Sequence, residues 1–168
     1  LGDVYKRQPL CNRFQQIKHI PFSNSLSDNV VSCIVEDKKN NLWIGTSDGG
    51  LNFYDNTAKT YKNYLFNPGI SEGVPFKDVK TVYVDEASDK IYVGAHAGGM
   101  MVLHRKTGRK VFYNQQNSGL PSNHIYSIIS DGKDGLWIAS LDYLFHFDIA
   151  GKRFTVINEA VSYTHLTL

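Results

Sequence analysis

Leu26–Asp55 reads LSDNVVSCIVEDKKNNLWIGTSDGGLNFYD, and it decides the fold because the chain writes the same pattern twice more. KDVKTVYVDEASDKIYVGAHAGGMMVLH runs from Lys77 to His104, and LPSNHIYSIISDGKDGLWIASLDYLFHFD from Leu120 to Asp148. The Asp that closes each first apolar run, at 37, 85 and 131, recurs at intervals of 48 and 46 residues. A period of this size, with several short strands in each unit, is the mark of a β-propeller blade.

Within a unit the residue types prescribe four strands. Val30–Val35, Val79–Val84 and Ile125–Ile129 are apolar at both parities, which predicts a first strand covered on both faces by adjacent blades. Asp- and Asn-rich turns follow, since these side chains bond their own backbone and tolerate positive φ. Leu42–Gly45, Ile91–Gly94 and Leu136–Ala139 form the second strand. Gly49-Gly50 and Gly98-Gly99 then reverse the chain into a third, Leu51–Tyr54 or Met100–Leu103. The third unit has Leu141-Asp142-Tyr143 in place of the glycine pair, which predicts a loop of different shape. Thr60–Tyr64, Val111–Tyr113 and Phe154–Ile157 are outer strands, and Phe14–Ile20 fits the same pattern for a preceding blade.

The expected fold is therefore all-β, an incomplete β-propeller. It comprises an outer strand of a preceding blade in 9–24, then three four-stranded antiparallel blades in 25–70, 71–118 and 119–160. Propellers close with roughly four to eight blades, and each repeat buries its faces against its neighbours. Three blades alone leave two apolar faces open.

Residues 1–8 and 161–168 stand apart. Asp3–Gln8 (DVYKRQ) and Val161–Leu166 (VSYTHL) can be encoded by DNA stretches of which the first sixteen bases of one are the reverse complement of the first sixteen of the other. Both resemble the transposon end used in sequencing-library preparation, so the native sequence is expected to continue beyond both ends.

Composition excludes several classes. The formal net charge is +2 and no basic stripe stands out, so contact with nucleic acid is not expected. No apolar run approaches a membrane span. Cys11 and Cys33 form no CxxC and read as small buried side chains. His19, His96, His104, His124 and His146 show no zinc spacing. No Gly-x-Ser-x-Gly elbow and no phosphate-cradling Gly-Lys-Ser/Thr is present, so no metal, cofactor or catalytic residue is assigned.

The string N-x-V-x-x-I-x-E-D, four residues, then L-W-I-G-T-x-x-G-G-L-x-x-Y-D over 29–55 resembles the two-component regulator propeller repeat. Residues 120–148 match with the loop shortened, and 77–104 more loosely, with Tyr92 for Trp and His104 for Asp. The resemblance implies the extracytoplasmic, periplasmic sensor region of a hybrid two-component histidine kinase, many of which respond to oligosaccharides. It further implies that the remaining blades lie in the same chain, that the parent is a homodimer, and that membrane contact is made by the parent alone. Two other readings stay open: a protein-interaction propeller without a kinase, and a propeller lyase or hydrolase.

Repetition separates scaffold from site. Trp43, Tyr92 and Trp137 share one repeat position, which predicts packing between blades rather than a sugar platform. Asp37, Asp85 and Asp131 share another, which predicts hairpin caps rather than an acid/base pair. Binding residues belong in the loops that vary, and those joining second to third strands share a face with those joining successive blades. That face carries the candidate ligand contacts Asp48, Lys77, His96, His124, Asp142 and Tyr143, beside Ser47 and Asp78.

Overall fold

The computed structural model describes residues 16–64 and 76–157. Among them run twelve strands in three separate four-stranded sheets, each an antiparallel meander. Blade A holds β1 (Val31–Glu36), β2 (Leu42–Thr46), β3 (Leu51–Asp55) and β4 (Thr60–Tyr64). Blade B holds β5 (Val79–Asp85), β6 (Lys90–Ala95), β7 (Gly99–His104) and β8 (Lys110–Tyr113). Blade C holds β9 (Ile125–Ser130), β10 (Gly135–Ser140), β11 (Leu144–Asp148) and β12 (Arg153–Val156). The first strands stand side by side, β1 against β5 and β5 against β9, as the inner strands of a propeller do.

The aspartates cap their hairpins as the sequence predicts. The N–H groups of Lys39 and Asn41 donate to Asp37 Oδ1 at 2.9 and 3.0 Å, and those of Lys133 and Gly135 to Asp131 Oδ1 at 2.7 and 3.1 Å. In blade B, Ala87 and Ser88 donate to Asp85 Oδ1 at 3.0 and 3.2 Å. The turns contain Asn40 at φ 60°, Asp89 at 57° and Gly132 at 79°, the left-handed region that these residue types enter at least cost.

Two large apolar layers hold the blades together. Trp43 and Leu51 of blade A bury against Phe76, Val79, Val82, Ile91, Val93 and Met101 of blade B. Tyr92, Met100 and Val102 on the other face of blade B bury against Ile125, Ile128, Leu136, Ile138, Phe145 and Phe147 of blade C. Leu26 covers Ile44 and Tyr54 on the outward side of blade A.

Two expectations are corrected. Coverage of the first strand on both faces holds for blade B alone, where Val82 packs into the layer with blade A and Tyr83 against the layer with blade C. Ile34 is 60% exposed and Ile129 57%, because blade A has no described neighbour on one side and blade C none on the other. Trp137 is likewise 36% exposed where Trp43 and Tyr92 are buried. The outer strand expected over Phe14–Ile20 is not formed in its described part, 16–20. An outer strand is held by its ladder to the third strand of its own blade, and none precedes it among the described residues. Residues 14 and 15, both sequence ends, Cys11 and most of the 67–76 connector lie outside the described residues.

Candidate functional site

The loop face is assembled by backbone bonds that the repeat pattern explains. The Gly50 N–H of blade A donates to Lys77 O of blade B at 2.9 Å, and the Gly99 N–H of blade B to Asn123 O of blade C at 2.8 Å. Both glycines sit at positive φ, 72° and 74°, so the turn presents its N–H across the junction without a side chain in the way. Within blade B the His96 N–H donates to Asp78 O at 2.8 Å, as Ser47 N–H does to Val30 O in blade A.

These bonds bring His96, on the β6–β7 loop, beside His124, just ahead of β9. Their rings lie 4.6 Å apart between centroids and are tilted by 59°. Tyr126 of β9 stands edge-on to His96 at 6.2 Å. Asp78 joins from the start of β5, with one carboxylate oxygen 2.8 Å from Lys80 Nζ and the other 3.9 Å from His96 Nδ1. The His124 N–H donates to Ser122 Oγ at 3.2 Å, while its Nδ1 is buried without a hydrogen-bond partner. Tyr126, His96 and Lys80 keep surface open to solvent.

The six sequence-derived candidates therefore divide. His96 and His124 meet at the junction of blades B and C. Lys77 and Asp48 form a looser pair at the junction of A and B, 3.9 Å apart with 56% and 82% of their side-chain surface exposed. Asp142 and Tyr143 sit in a tight hairpin of blade C, where the Ser140 N–H donates to Tyr143 O and the Tyr143 N–H to Ser140 Oγ. None of the three residues replacing the glycine pair adopts positive φ, so the loop does differ in shape.

Sequence reasoning confined to loops missed Lys80 and Tyr126, which lie on strands. The signal was present. Counting back from the capping Asp, Ser32, Lys80 and Tyr126 occupy one repeat position and differ in every copy. A position that varies inside a repeated scaffold is not needed by the scaffold.

Chemically, the cluster offers two imidazole rings and a phenol as faces for a sugar's C–H surface, with a Lys–Asp pair as donor and acceptor for hydroxyls. A pair of converging carboxylates, as glycoside cleavage requires, is not formed here, since Asp78 stands among cations and rings. Among the described residues no group of three or more His, Cys, Asp or Glu side chains could hold a metal ion. No helix of the described residues is long and apolar enough to cross a membrane.

A second polar cluster lies at the capping turns. Arg105 Nε is 2.9 Å from Asp89, Nη2 2.6 Å from Glu86 and Nη1 3.5 Å from Asp37 of blade A. The Lys38 N–H also donates to Glu86, and together with Arg105 it holds that carboxyl below its ordinary range. This network ties the hairpins of A and B together and is structural.

Three antiparallel blades stacked through their flanks, with variable polar side chains gathered on one loop face, define a segment of a β-propeller. Residues 25–48 and 119–142 match the two component regulator propeller family. Over 139 residues the chain is 29% identical to histidine kinase P4 of Formosa agariphila, a match that covers 80% of this chain and 10% of that protein. The extracellular domain of the hybrid two component system BT3049 from B. thetaiotaomicron superposes with a TM-score of 0.73 at 21% identity, over 84% of this chain and 20% of that one. The extracellular domain of BT4673 from the same organism gives 0.64 at 20% identity, over 86% and 17%. The chain thus spans about a tenth of the curated relative and a fifth of the extracellular domains that share its fold.

Proposed function

We propose that this segment is part of the ligand-sensing propeller of a hybrid two-component histidine kinase and that its ligand is an oligosaccharide. The carrying observation is the junction of blades B and C, where His96, His124, Tyr126, Asp78 and Lys80 gather although the repeat does not require them. The match to two component regulator propeller repeats, and relatives that are a histidine kinase and extracellular domains of such systems, support the sensor reading. In this reading the propeller lies in the periplasm and the parent spans the inner membrane. The remaining blades complete the ring, and two copies of the parent pair to signal. Asp48 and Lys77 extend the contact surface towards blade A, and Asp142 and Tyr143 extend it on blade C. The segment itself catalyses nothing and touches no nucleic acid. A ligand shifts a sensor only through contacts that differ between its two states, so the bound sugar must bridge blades or reach a neighbouring domain.

The test is isothermal titration of the chain with short neutral and acidic oligosaccharides, repeated with Tyr126→Ala and His96→Ala. Loss of one such contact should weaken binding by about tenfold, since stacking and hydrogen-bond contacts of this type are worth about 1–2 kcal/mol. Unchanged affinity in both variants removes the cluster as the site.

A further inference from the structure

Each junction between blades uses a matched pair of positions, and the pair differs at blade C. In blade A, Gly45 faces the leading residue of the next blade's first strand: a β-carbon on Gly45 would stand 2.5 Å from Val79 Cγ1. In blade B, Gly94 faces Ile125 in the same way and closer still. Val79 and Ile125 are both fully buried by this approach. The residue in the same register of blade C is Ala139, paired to Ser127 and Leu144 as Gly45 is to Cys33 and Leu51. Its β-carbon occupies the volume that a branched side chain fills at the other two junctions.

A second difference lies in the clamp. Gly50 and Gly99 each hand an N–H to the following blade, whereas the Tyr143 N–H is spent on Ser140 Oγ inside its own loop. What remains on the outward face of blade C is the apolar set Ile129, Trp137 and Leu144, the counterparts of Val35, Trp43 and Leu51 that blade A packs into blade B. That set still calls for a blade.

We propose that the outward face of blade C takes a blade of this same repeat whose leading first-strand residue, the counterpart of Val79 and Ile125, is Gly, Ala or Ser, and rejects one that carries Val or Ile there. Ala139 is then a specificity-determining residue that fixes which blade can follow. The inference rests on the packing of the repeats and not on the proposed ligand, so the two fail separately.

Blade A supplies the probe, because its leading residue is Val31, 40% exposed, and its docking face is marked by the exposed Ile34. One copy of the chain carries Ile34→Glu, which closes its blade A face. The other carries Trp137→Glu, which closes its blade C face. Mixed, the two can form a single junction, blade C of the first on blade A of the second, and sedimentation velocity reads its Kd. With Val31 and Ala139 native, association is weak. Val31→Ala in the second copy, or Ala139→Gly in the first, tightens it by about tenfold or more, the relief of an overpacked contact. The sign is diagnostic, because trimming Val31 at an ordinary apolar interface removes buried surface and weakens binding. Circular dichroism checks that each variant is folded, and Val31→Ala, at an exposed position, covers the case in which Ala139→Gly disturbs β10. Val31→Ala that weakens binding or leaves it unchanged, or a folded Ala139→Gly copy that shows no association with its partner, overturns the proposal.

Discussion

Trp43 and Trp137 occupy the same repeat position and should have very different energetic weight. Trp43 is 2% exposed, with ring centroids 4.7 Å from Phe53 and 5.8 Å from Tyr64, and it lies inside the layer between blades A and B. A Trp buries about 200 Å², which at about 25 cal/mol per Å² is about 5 kcal/mol, and large-to-small truncation in a closed core costs about 3–5 kcal/mol. Trp137 is 36% exposed on a face open to solvent, so truncation there leaves no closed cavity and should cost about 1–2 kcal/mol. Urea unfolding followed by circular dichroism measures both. These are the chain's two tryptophans, so each variant leaves a single indole to be excited selectively beyond the tyrosine absorption. Trp137→Ala should leave a blue-shifted emission from Trp43 that acrylamide quenches poorly, and Trp43→Ala a redder and readily quenched one from Trp137. Equal stability losses, or equal quenching, would refute the assignment of one face as packed and the other as open.

Other consequences follow from the same geometry. Burial, with nearby Asp85, Tyr113 and Tyr83 adding to it, pushes the Tyr92 phenol up to about 12 from an ordinary 10. Its contribution is therefore complete below pH 10 and is lost as the pH rises towards 12. About 2–3 kcal/mol should disappear over that window in urea titrations, and Tyr92→Phe should remove that share, leaving the part due to Tyr61 and Tyr113, whose phenols burial also raises. At the acid end, a hydrogen bond from His146 at 2.8 Å and the Lys133 N–H hold the Asp131 carboxyl below its ordinary range. Stability from this cap is present above the unfolded carboxyl's range and falls as the pH drops through the lowered value, and Asp131→Asn should flatten that acid limb in thermal melts. Arg105→Ala should cost about 1–3 kcal/mol, because it removes the one cation that the Asp37, Glu86 and Asp89 carboxylates share, and it should cost less in high salt. An Arg105→Ala variant as stable as the parent chain would show that the A–B junction rests on apolar contacts alone.

The blades were legible in the sequence because their signals repeat. The capping Asp and the Trp or Tyr of the second strand recur in all three copies and the glycine pair in two, and the structure places each in the matching turn, strand or loop of its blade. Burial was legible only in part. Apolar residues at both parities of Val30–Val35 say that the strand wants cover on both sides, but cover comes from a neighbour, and Ile34 has none among the described residues. The site was half legible. His96 and His124 were found because they sit in loops, while Lys80 and Tyr126 were passed over because strand positions were assigned to the scaffold wholesale. Comparing the three copies position by position, rather than loop against strand, would have recovered both.

The repeat separates stability from recognition in space. Positions that must be the same in every blade face the adjacent sheets or cap the hairpins, where a change costs the fold. Ser32, Lys80 and Tyr126 lie between them, on the inner strands beside the Ser47 and His96 loops: Ser32 Oγ reaches Ser47 Oγ of its own blade at 3.3 Å, and Tyr126 of blade C reaches His96 of blade B. At these places a strand residue that differs between the copies stands next to a loop residue that differs too. In the proposed reading a ring of such pairs changes its ligand by substitutions that leave every junction intact, whereas Ala139, which alters a junction itself, changes which blade can sit beside which. In that reading, recognition of a ligand and ordering of the blades rest on different residues of the same short repeat.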